Sequence, residues 1–331
     1  MSITYNWADE SKTILHSYFE GQWDWNNFHN AVISACQMIS RSRHNVYVVI
    51  DALNCNGMPQ STPFPHFKQA IGQLPKNTNI VIIITRKKFV KMSVAIAIKF
   101  FQMEDLFYIV PSIKEARTIL TEHTAKESLK HHLLHELTSG DHDKAINAIE
   151  HLRFHEWLMD GTLWGLDLVD ADLRDANLFL ADLGGASLEQ ADLTRVNFYM
   201  ANLEDAVLWR ARMSQASLVE VNLYNSNLRE ADLRHADLTA SNLQRANLKD
   251  TNFEGANLHN AKLYETNLHL AYFDRHTTMP DGHHWTPQTD LKVFTDPGHQ
   301  RFWYANQQRE DETIVSRPKD WKFDADGNII T

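Results

Sequence analysis

The chain has 331 residues, of which 43% are hydrophobic and 22% are charged, and its formal net charge is −10 at pH 7. This length accommodates two or three domains, and an acidic balance without a basic stripe argues against direct binding to nucleic acid. The start, MSITYNW, lacks the features of a signal peptide, and the longest apolar stretches, IVIIIT and VAIAI, are too short to span a bilayer. We therefore expect a cytoplasmic protein of bacterial type with no membrane span.

Residues 1–122 are predicted to form an α/β domain. In chain order the expected elements are strands at 3–7 and 12–21, a helix at 24–40 with Asp24 as its N-cap, a strand at 46–51, a helix at 65–74, a strand at 79–85, a helix at 88–101, a strand at 106–110 and a helix at 112–120. The first two strands are expected to pair as a hairpin. Continuous apolar strands that alternate with helices are typical of a parallel or mixed sheet covered by helices.

The order and size of these elements resemble the STAS and anti-sigma-factor-antagonist group, which implies a docking or sensing module with protein partners. Antagonists of that group are switched by phosphorylation of a serine in a DSSG-like turn before a helix. The loop at 51–65, DALNCNGMPQSTPFP, lacks that motif, and Ser61 and Thr62 are its nearest hydroxyls. A phosphate there would lie near a helix N-terminus, which favours anions, but an ordinary Pro-rich turn is the simpler interpretation.

Few side chains in the sequence point to catalysis. The segment at 131–136 carries three histidines, His131, His132 and His135, followed by Glu136. Two histidines four apart can bind a metal when a third ligand joins them, but a solvated helix surface explains the segment better. Asp51 ends a strand, where sites of parallel sheets often lie, yet one carboxylate makes no mechanism. We therefore expect no enzyme, no cofactor and no metal site.

Residues 123–160 are predicted to be helical, with a break at Ser139-Gly140. The second of these helices carries apolar residues on one face and runs directly into the repeated segment that follows. The open end of a repeat array exposes backbone groups and apolar side chains to water. We therefore expect this helix to cap the array.

Residues 161–275 repeat a five-residue unit twenty-three times without interruption, as in ADLRD (171–175) and ANLHN (256–260). The third residue of every unit is Leu, Met or Phe, the first is small in nearly all, and the second is mostly Asp or Asn. A period of five fits neither a helix nor a strand, so we expect a solenoid in which each unit buries its apolar side chain against its neighbours. Asp and Asn at the second position suit a tight turn in every unit.

This pattern resembles the pentapeptide-repeat family, A(D/N)LXX, whose members form a right-handed, four-sided β-helix with four units per coil. The resemblance implies nearly six coils and a rod about 27 Å long, at about 4.8 Å per coil. The third-position side chains would fill its core, and the ones we single out are Leu173, Leu178, Leu183, Leu193, Phe198, Leu203, Leu223, Leu233, Leu243 and Phe253. Beyond the repeat, 276–331 breaks the period and is expected to form an irregular cap and tail, with Trp285 and Phe294 plugging the last coil.

Residues twenty apart would then stack on one face of the rod. One face carries apolar side chains at outward positions in three consecutive coils, namely Phe179, Leu180, Tyr199, Met200 and Val219. A second column contains Trp164, Tyr224 and Tyr264. Outward aromatic side chains of this kind mark an interface. The candidates are a homodimer, docking of the front domain on the rod, or a separate protein partner.

The better-known members of the family mimic DNA and protect type II topoisomerases from quinolones. About 27 Å of duplex displays about 16 phosphates, whereas the repeat carries 17 acidic and 10 basic side chains over four faces, and Arg212 interrupts the acidic column of Asp172, Asp192 and Asp232. We therefore expect a non-enzymatic interaction scaffold or regulator, with the rod as a binding or dimerisation surface. A DNA-mimicking modulator of a type II topoisomerase is the alternative.

The core assignment leads to a stability prediction. Leu203→Asp places an unpaired carboxylate in a dry column, so we expect it to lower the free energy of unfolding by about 4 kcal/mol or more. The volume-conserving control Leu203→Met should cost less than about 1.5 kcal/mol. Thermal unfolding followed by circular dichroism measures both. A soluble aspartate variant with an unchanged melting curve would contradict the inward placement.

Overall fold

The computed structural model describes residues 3–60 and 62–303, together with the backbone of 322–323 and 329–330. The chain divides into two compact units, which we call the front unit (Met1–Ser128) and the rod unit (Leu129–Thr331). The front unit contains, in chain order, β1 Ile3–Trp7, β2 Ile14–Phe19, α1 Trp25–Ser40, β3 Val46–Asp51, α2 Phe64–Ile71, β4 Thr78–Ile84, α3 Lys88–Phe100, β5 Phe107–Val110 and the start of α4 Ile113–Leu137.

A five-stranded sheet in the order β1-β2-β3-β4-β5 forms the centre of the front unit. β1 pairs with β2 as the expected antiparallel hairpin, and β2 to β5 are parallel neighbours. On one face of the sheet, Val48 and Val81 pack with residues of α1 and α3. On the other face, Val49 and Ile82 pack with Ala116 of α4. The α/β architecture is present as predicted, and the resemblance to the STAS group remains a prediction.

Two helix ends show how local chemistry sets the elements. Asp24 caps α1 as expected, since its carboxylate accepts a hydrogen bond from the backbone N–H of Asn27 at 2.7 Å. By contrast, the predicted end of a helix near residue 120 is wrong, because α4 continues to Leu137. Thr121, in the expected gap, and Thr124, just after it, donate their hydroxyls to backbone carbonyls four residues earlier. Their side chains are therefore satisfied inside a continuous helix.

The repeat forms a four-sided parallel β-helix. Each second-position residue bridges to the residue twenty positions later, from Asp167 with Ser187 through Asn252 with Tyr272. Four units therefore make one coil, as predicted. The ten core side chains named above are all 0% or 1% exposed. A column this dry has no water to satisfy a polar group, which is why third positions accept only Leu, Met and Phe.

Every unit from 161–165 to 266–270 turns the same corner. The fifth residue has φ near +58°, as at Asp175, Gln215 and Asn225, and glycine occupies that position in only a few units. The carbonyl of the third residue accepts a hydrogen bond from the N–H three positions on, for example Leu173 from Ala176 at 3.2 Å. Most second-position Asp and Asn side chains accept from the backbone N–H two residues later. The corner is therefore stabilised by the two residue types that the repeat prescribes.

Helices close the start of the rod. α5, His142–Phe154, buries Ala148, Ile149 and Leu152 in the same hydrophobic core as the first leucines of the repeat. The carbonyl of Leu158, just after this helix, accepts a hydrogen bond from the backbone N–H of Asp182 at 2.7 Å. The helix and the segment after it therefore supply apolar cover and a backbone partner to the first coil.

The other end of the rod extends beyond the predicted limit of residue 275. Thr278 bridges to Asn257, a spacing of twenty-one, and Met279 is 1% exposed in the core. One inserted residue thus shifts the register, so the last unit, which contains Thr278 and Met279, does not fit a strict five-residue period. Trp285 stacks on Phe273 with ring centroids 6.3 Å apart, and Phe294 of the short helix α6, Lys292–Thr295, is buried against the same core. Farther on, β6 Lys322–Phe323 pairs with β7 Ile329–Ile330.

The corner geometry predicts which substitutions the surface tolerates. Gln215 is exposed with φ +58°, a conformation that costs an L-residue about 1–2 kcal/mol and strains a β-branched side chain further. We expect Gln215→Val to lower the free energy of unfolding by about 1–2 kcal/mol, while the control Gln215→Asn leaves it nearly unchanged. Thermal denaturation compares the two. Equal melting curves would show that the corner does not select residue type.

Candidate interaction surfaces

One side of the rod carries almost no charge. We call it the uncharged face and define it by the outward residues 179–180, 199–200, 219–220, 239–240 and 259–260, among which Glu220 is the only Asp, Glu, Lys or Arg. The adjacent face, at 174–175 and every twenty residues onward, carries seven charged side chains in twelve outward positions. The faces of the rod are therefore chemically distinct, although one repeat builds all of them.

Two members of the predicted apolar surface are not exposed. Phe179 is 8% exposed and Leu180 is 4% exposed, which corrects the expectation that both face solvent. The ring of Phe179 stacks on Tyr199 with centroids 5.6 Å apart and planes 15° from parallel. Nearby, the Arg153 guanidinium at the end of α5 donates to the carbonyl of Asn177. The capping helix therefore lies against the start of this face.

The rest of the strip remains at the surface. Tyr199, Met200 and Val219 are half-buried and follow one another along adjacent coils. Burial, together with the nearby carboxylate of Glu220, raises the pKa of the Tyr199 phenol. The exposed part of the uncharged face is therefore a short apolar strip rather than the three-coil patch that the sequence suggested. Its role in binding remains a prediction.

The second aromatic column is discontinuous. Trp164, Tyr224 and Tyr264 share a face, but three coils separate the first pair and two separate the second. The Trp164 indole lies over Gly184, where the Cβ atom of any larger residue would clash with the ring. The Tyr224 hydroxyl accepts a hydrogen bond from Arg245 at 2.7 Å. Trp164 and Tyr224 are thus engaged by local contacts, and the three side chains do not merge into one apolar patch.

Ion pairs link the acidic residues of the rod to its arginines. Asp172 pairs with Arg174 at 2.6 Å, Asp192 with Arg212 at 3.1 Å, and Asp232 with Arg234 at 2.7 Å. The hydrogen bond from Arg174 lowers the pKa of Asp172. Each carboxylate of the best acidic column therefore has a cation beside it. This column lacks the uninterrupted negative potential of a nucleic-acid backbone.

The front unit contains a cavity of about 140 Å³ between its sheet and α1, α2 and α3. Apart from Ser17, Trp23 and the two cysteines, every side chain that lines it is fully apolar. Cys36 and Cys55 are free thiols, and burial raises the pKa of Cys36. Apolar voids of this size stay dry and hold a benzene-sized group. The cavity cannot be predicted from the sequence, because no local pattern indicates how tightly three helices cover a sheet.

Asp51 lies on the opposite side of the sheet from the cavity, because alternate residues of a strand face opposite ways. Its carboxylate accepts a hydrogen bond from the backbone N–H of Leu53 at 3.0 Å. On the neighbouring strand, burial lowers the pKa of His16, against the charge of Asp51, which raises it. Thr62 is exposed just before α2, and Ser61 lies outside the described residues. Phosphorylation of this loop remains a prediction.

The histidine segment of α4 forms one local pair, between His132 Nε2 and Glu136 Oε1 at 3.5 Å. Within residues 3–60 and 62–303, no group of three or more His, Cys, Asp or Glu side chains is arranged to hold a metal ion. In the same part of the chain, no helix combines the length and apolar character needed to cross a membrane.

Comparison with known proteins identifies the repeat. The family model for the pentapeptide repeat region matches residues 181–258, and the model for eight copies of the pentapeptide repeat matches residues 162–195. No curated protein matches this chain. Among solved structures, the chain is similar to the pentapeptide repeat protein Rfr23 of the cyanobacterium Cyanothece 51142, with 31% identity over 34% of this chain and 90% of that chain and a TM-score of 0.26.

Two further solved structures show the range of relatives. HetL, a pentapeptide repeat protein involved in heterocyst differentiation regulation in Nostoc sp. strain PCC 7120, is 28% identical over 37% of this chain and 71% of its own, with a TM-score of 0.20. QnrB1, a plasmid-mediated fluoroquinolone resistance protein, is 18% identical over 35% of this chain and 61% of its own, with a TM-score of 0.28. The two family models and the identity to Rfr23 show that the protein belongs, through its rod, to the pentapeptide-repeat family of right-handed β-helices.

Proposed function

We propose that this protein is a non-enzymatic interaction protein. The rod is a rigid binding surface, and the front unit is a docking or sensing module. The observation that supports this most directly is the apolar strip of Tyr199, Met200 and Val219 on a face whose charged residues are Glu220 and Asp237. Interface centres are depleted of charge and enriched in tyrosine and methionine, as this strip is.

The rigidity of the rod supports the same function. A continuous column of side chains at 0% or 1% exposure holds the outward residues in fixed positions along adjacent coils. A partner that binds such a surface does not have to order it first, which reduces the entropic cost of association. The partner of the uncharged face is a protein, either a second copy of this chain or another chain.

DNA mimicry of a type II topoisomerase substrate is the second candidate. Its support is the repeat itself, which this chain shares with the fluoroquinolone resistance protein QnrB1. At 18% identity that likeness extends to the fold alone. The pairing of Asp172, Asp192 and Asp232 with arginines argues against it, because paired carboxylates present little free negative charge. We therefore favour binding through the uncharged face.

The cavity supports a sensing role for the front unit. Its apolar walls suit a benzene-sized or short alkyl group, and they exclude ionised ligands, which would lose their hydration without gaining partners. A ligand bound there would stabilise the front unit by an amount that grows with the logarithm of its concentration above its Kd. Such a ligand would thereby couple the stability of this unit to the presence of a small apolar molecule.

Ligand binding to the cavity is testable with benzene. At ten times its Kd, benzene should stabilise the front unit by about 1.4 kcal/mol and raise its calorimetric transition by about 5 °C. Ala97 lines the cavity, so Ala97→Leu should fill part of the space and abolish the shift. The rod transition is the internal control. If benzene raises the front-unit transition equally in the wild type and in Ala97→Leu, or does not raise it in the wild type, the cavity is not the binding site.

Binding through the uncharged face is testable with matched charges. Met200→Glu with Val219→Glu places two carboxylates on this face, and Ser214→Glu with Gln215→Glu places them at equivalent turn positions on the adjacent face. We expect the first pair alone to weaken self-association or partner capture by at least about 30-fold, the scale of a hot-spot loss. Sedimentation equilibrium and pull-downs from the source cell measure the two forms of binding.

Both variants should retain the melting curve of the wild type, because the substituted side chains lie outside the core. If the two variants keep the same oligomeric mass and the same captured proteins, the uncharged face is not the interface. A gyrase supercoiling assay tests the second candidate, and inhibition by the wild-type protein at stoichiometric concentration would favour DNA mimicry instead.

A further inference from the structure

Helix α3 presents a second apolar surface, in the front unit. Four large side chains lie on its outward side, and their exposed fractions are 57% for Phe89, 56% for Met92, 57% for Ile96 and 67% for Phe100. At 100° per residue these positions fall within about 80° of one another around the helix. They therefore form one continuous stripe, which we call the α3 stripe. Solvated helices expose single apolar residues, not a row of four.

The opposite side of α3 is firmly packed. Val90, Val94, Ala97 and Ile98 are buried at 2% to 7% exposure against the sheet and the cavity. The helix therefore cannot rotate to hide its outward stripe without exposing an equal apolar area. The stripe is a lasting feature of the folded front unit, and polar substitutions in it do not disturb the core.

Positive charge flanks one side of the stripe. Lys88, Lys91 and Lys99 are exposed on α3, and Arg86 and Lys87 immediately precede it. The sequence contains no acidic residue at all between Asp51 and Glu104. No ion pair within the described part of the chain engages the three helix lysines. The front unit therefore combines its largest exposed apolar stripe with its densest group of unneutralised cations.

We propose that the α3 stripe binds the surface of an anionic phospholipid bilayer. Phe89, Met92, Ile96 and Phe100 enter the boundary between headgroups and acyl chains, and the lysines bind the phosphates. A helix that exposes large apolar side chains beside a row of lysines can lie in the plane of the interface, with part of its width in the membrane. The protein is then peripheral, since the stripe is one face of a thirteen-residue helix.

The charges favour a bilayer over a second copy of the chain. In a symmetric dimer the same patch meets itself, so the lysines of one α3 would face those of the other. Juxtaposed like charges oppose such an interface. An anionic lipid surface instead offers apolar depth and negative charge in one plane, and each lysine near it strengthens binding about fivefold. The apolar depth of the bilayer suits the α3 stripe, and its negative charge suits the lysines beside the stripe.

This inference gives the docking role proposed for the front unit a chemical partner, and it rests on that role. It does not involve the uncharged face of the rod. The Met200→Glu and Val219→Glu variant should therefore bind vesicles as the wild type does, whatever its effect on protein partners. Failure of vesicle binding and failure of rod binding are thus separate results.

The test is co-sedimentation of the full chain with sucrose-loaded vesicles at 0.1 M salt. We expect binding to vesicles of phosphatidylcholine with about one third phosphatidylglycerol, and little binding to phosphatidylcholine alone. Phe89→Ser with Ile96→Ser should weaken binding at least about tenfold. Replacing Lys88, Lys91 and Lys99 together by Gln should weaken it about 100-fold.

The control removes exposed apolar side chains elsewhere. Leu270 and Tyr272 are 69% and 55% exposed on the rod, so Leu270→Ser with Tyr272→Ser should bind vesicles as the wild type does. The proposal is overturned if the wild type does not sediment with anionic vesicles, or if the serine and glutamine variants sediment equally well. It is also overturned if Phe89→Ser with Ile96→Ser instead dissociates a dimer that does not bind vesicles, since the stripe would then join two copies.

Discussion

The structure of the rod depends on burying one large apolar side chain in every five residues of a column that excludes water. Each unit contributes one such side chain, and the column closes only if the chain turns a corner after each. Those corners require positive φ at the fifth residue and a carbonyl that accepts the N–H three positions on, as at Leu173. The small first residue, the Asx second residue and the apolar third residue all follow from this one requirement.

Most outward residues take no part in packing the column, so their identity can vary from face to face. The faces of the rod therefore differ in the charge of their outward residues. Arginines and carboxylates one coil apart pair on the charged faces, as Arg195 does with Asp175 and Arg245 with Glu265. These exposed pairs contribute little to stability individually, but they neutralise the surface locally. The contrast with the uncharged face is what makes that face the candidate binding surface.

In the front unit, by contrast, the core is formed by helices packed on a sheet. Its sheet is covered by helices that leave an apolar cavity on one side, so the fit between layers is incomplete. Helix α3 is apolar on both sides: Val94 faces the sheet and cavity, while Phe89 and Ile96 face outward. The sequence of α3 does not show which of its two apolar sides is buried, because the residues of both sides recur with the helical period. The buried side is the one against which the sheet packs.

Local sequence patterns are enough to predict the features that repeat or alternate along the chain. The period of five specified the core residues and the corners, the resemblance to the pentapeptide-repeat family implied the four-unit coil, and apolar strands alternating with helices specified the α/β sheet. The burial of individual side chains and the fit between layers depend on residues distant in sequence, so they are known only from the folded structure. The stacking of Phe179 on Tyr199 and the burial of Leu180 could not be read from outward positions alone, and one inserted residue hid Met279 from the periodic count. The cavity and the α3 stripe depend on how whole layers fit, because exposure is a property of packing and not of local pattern.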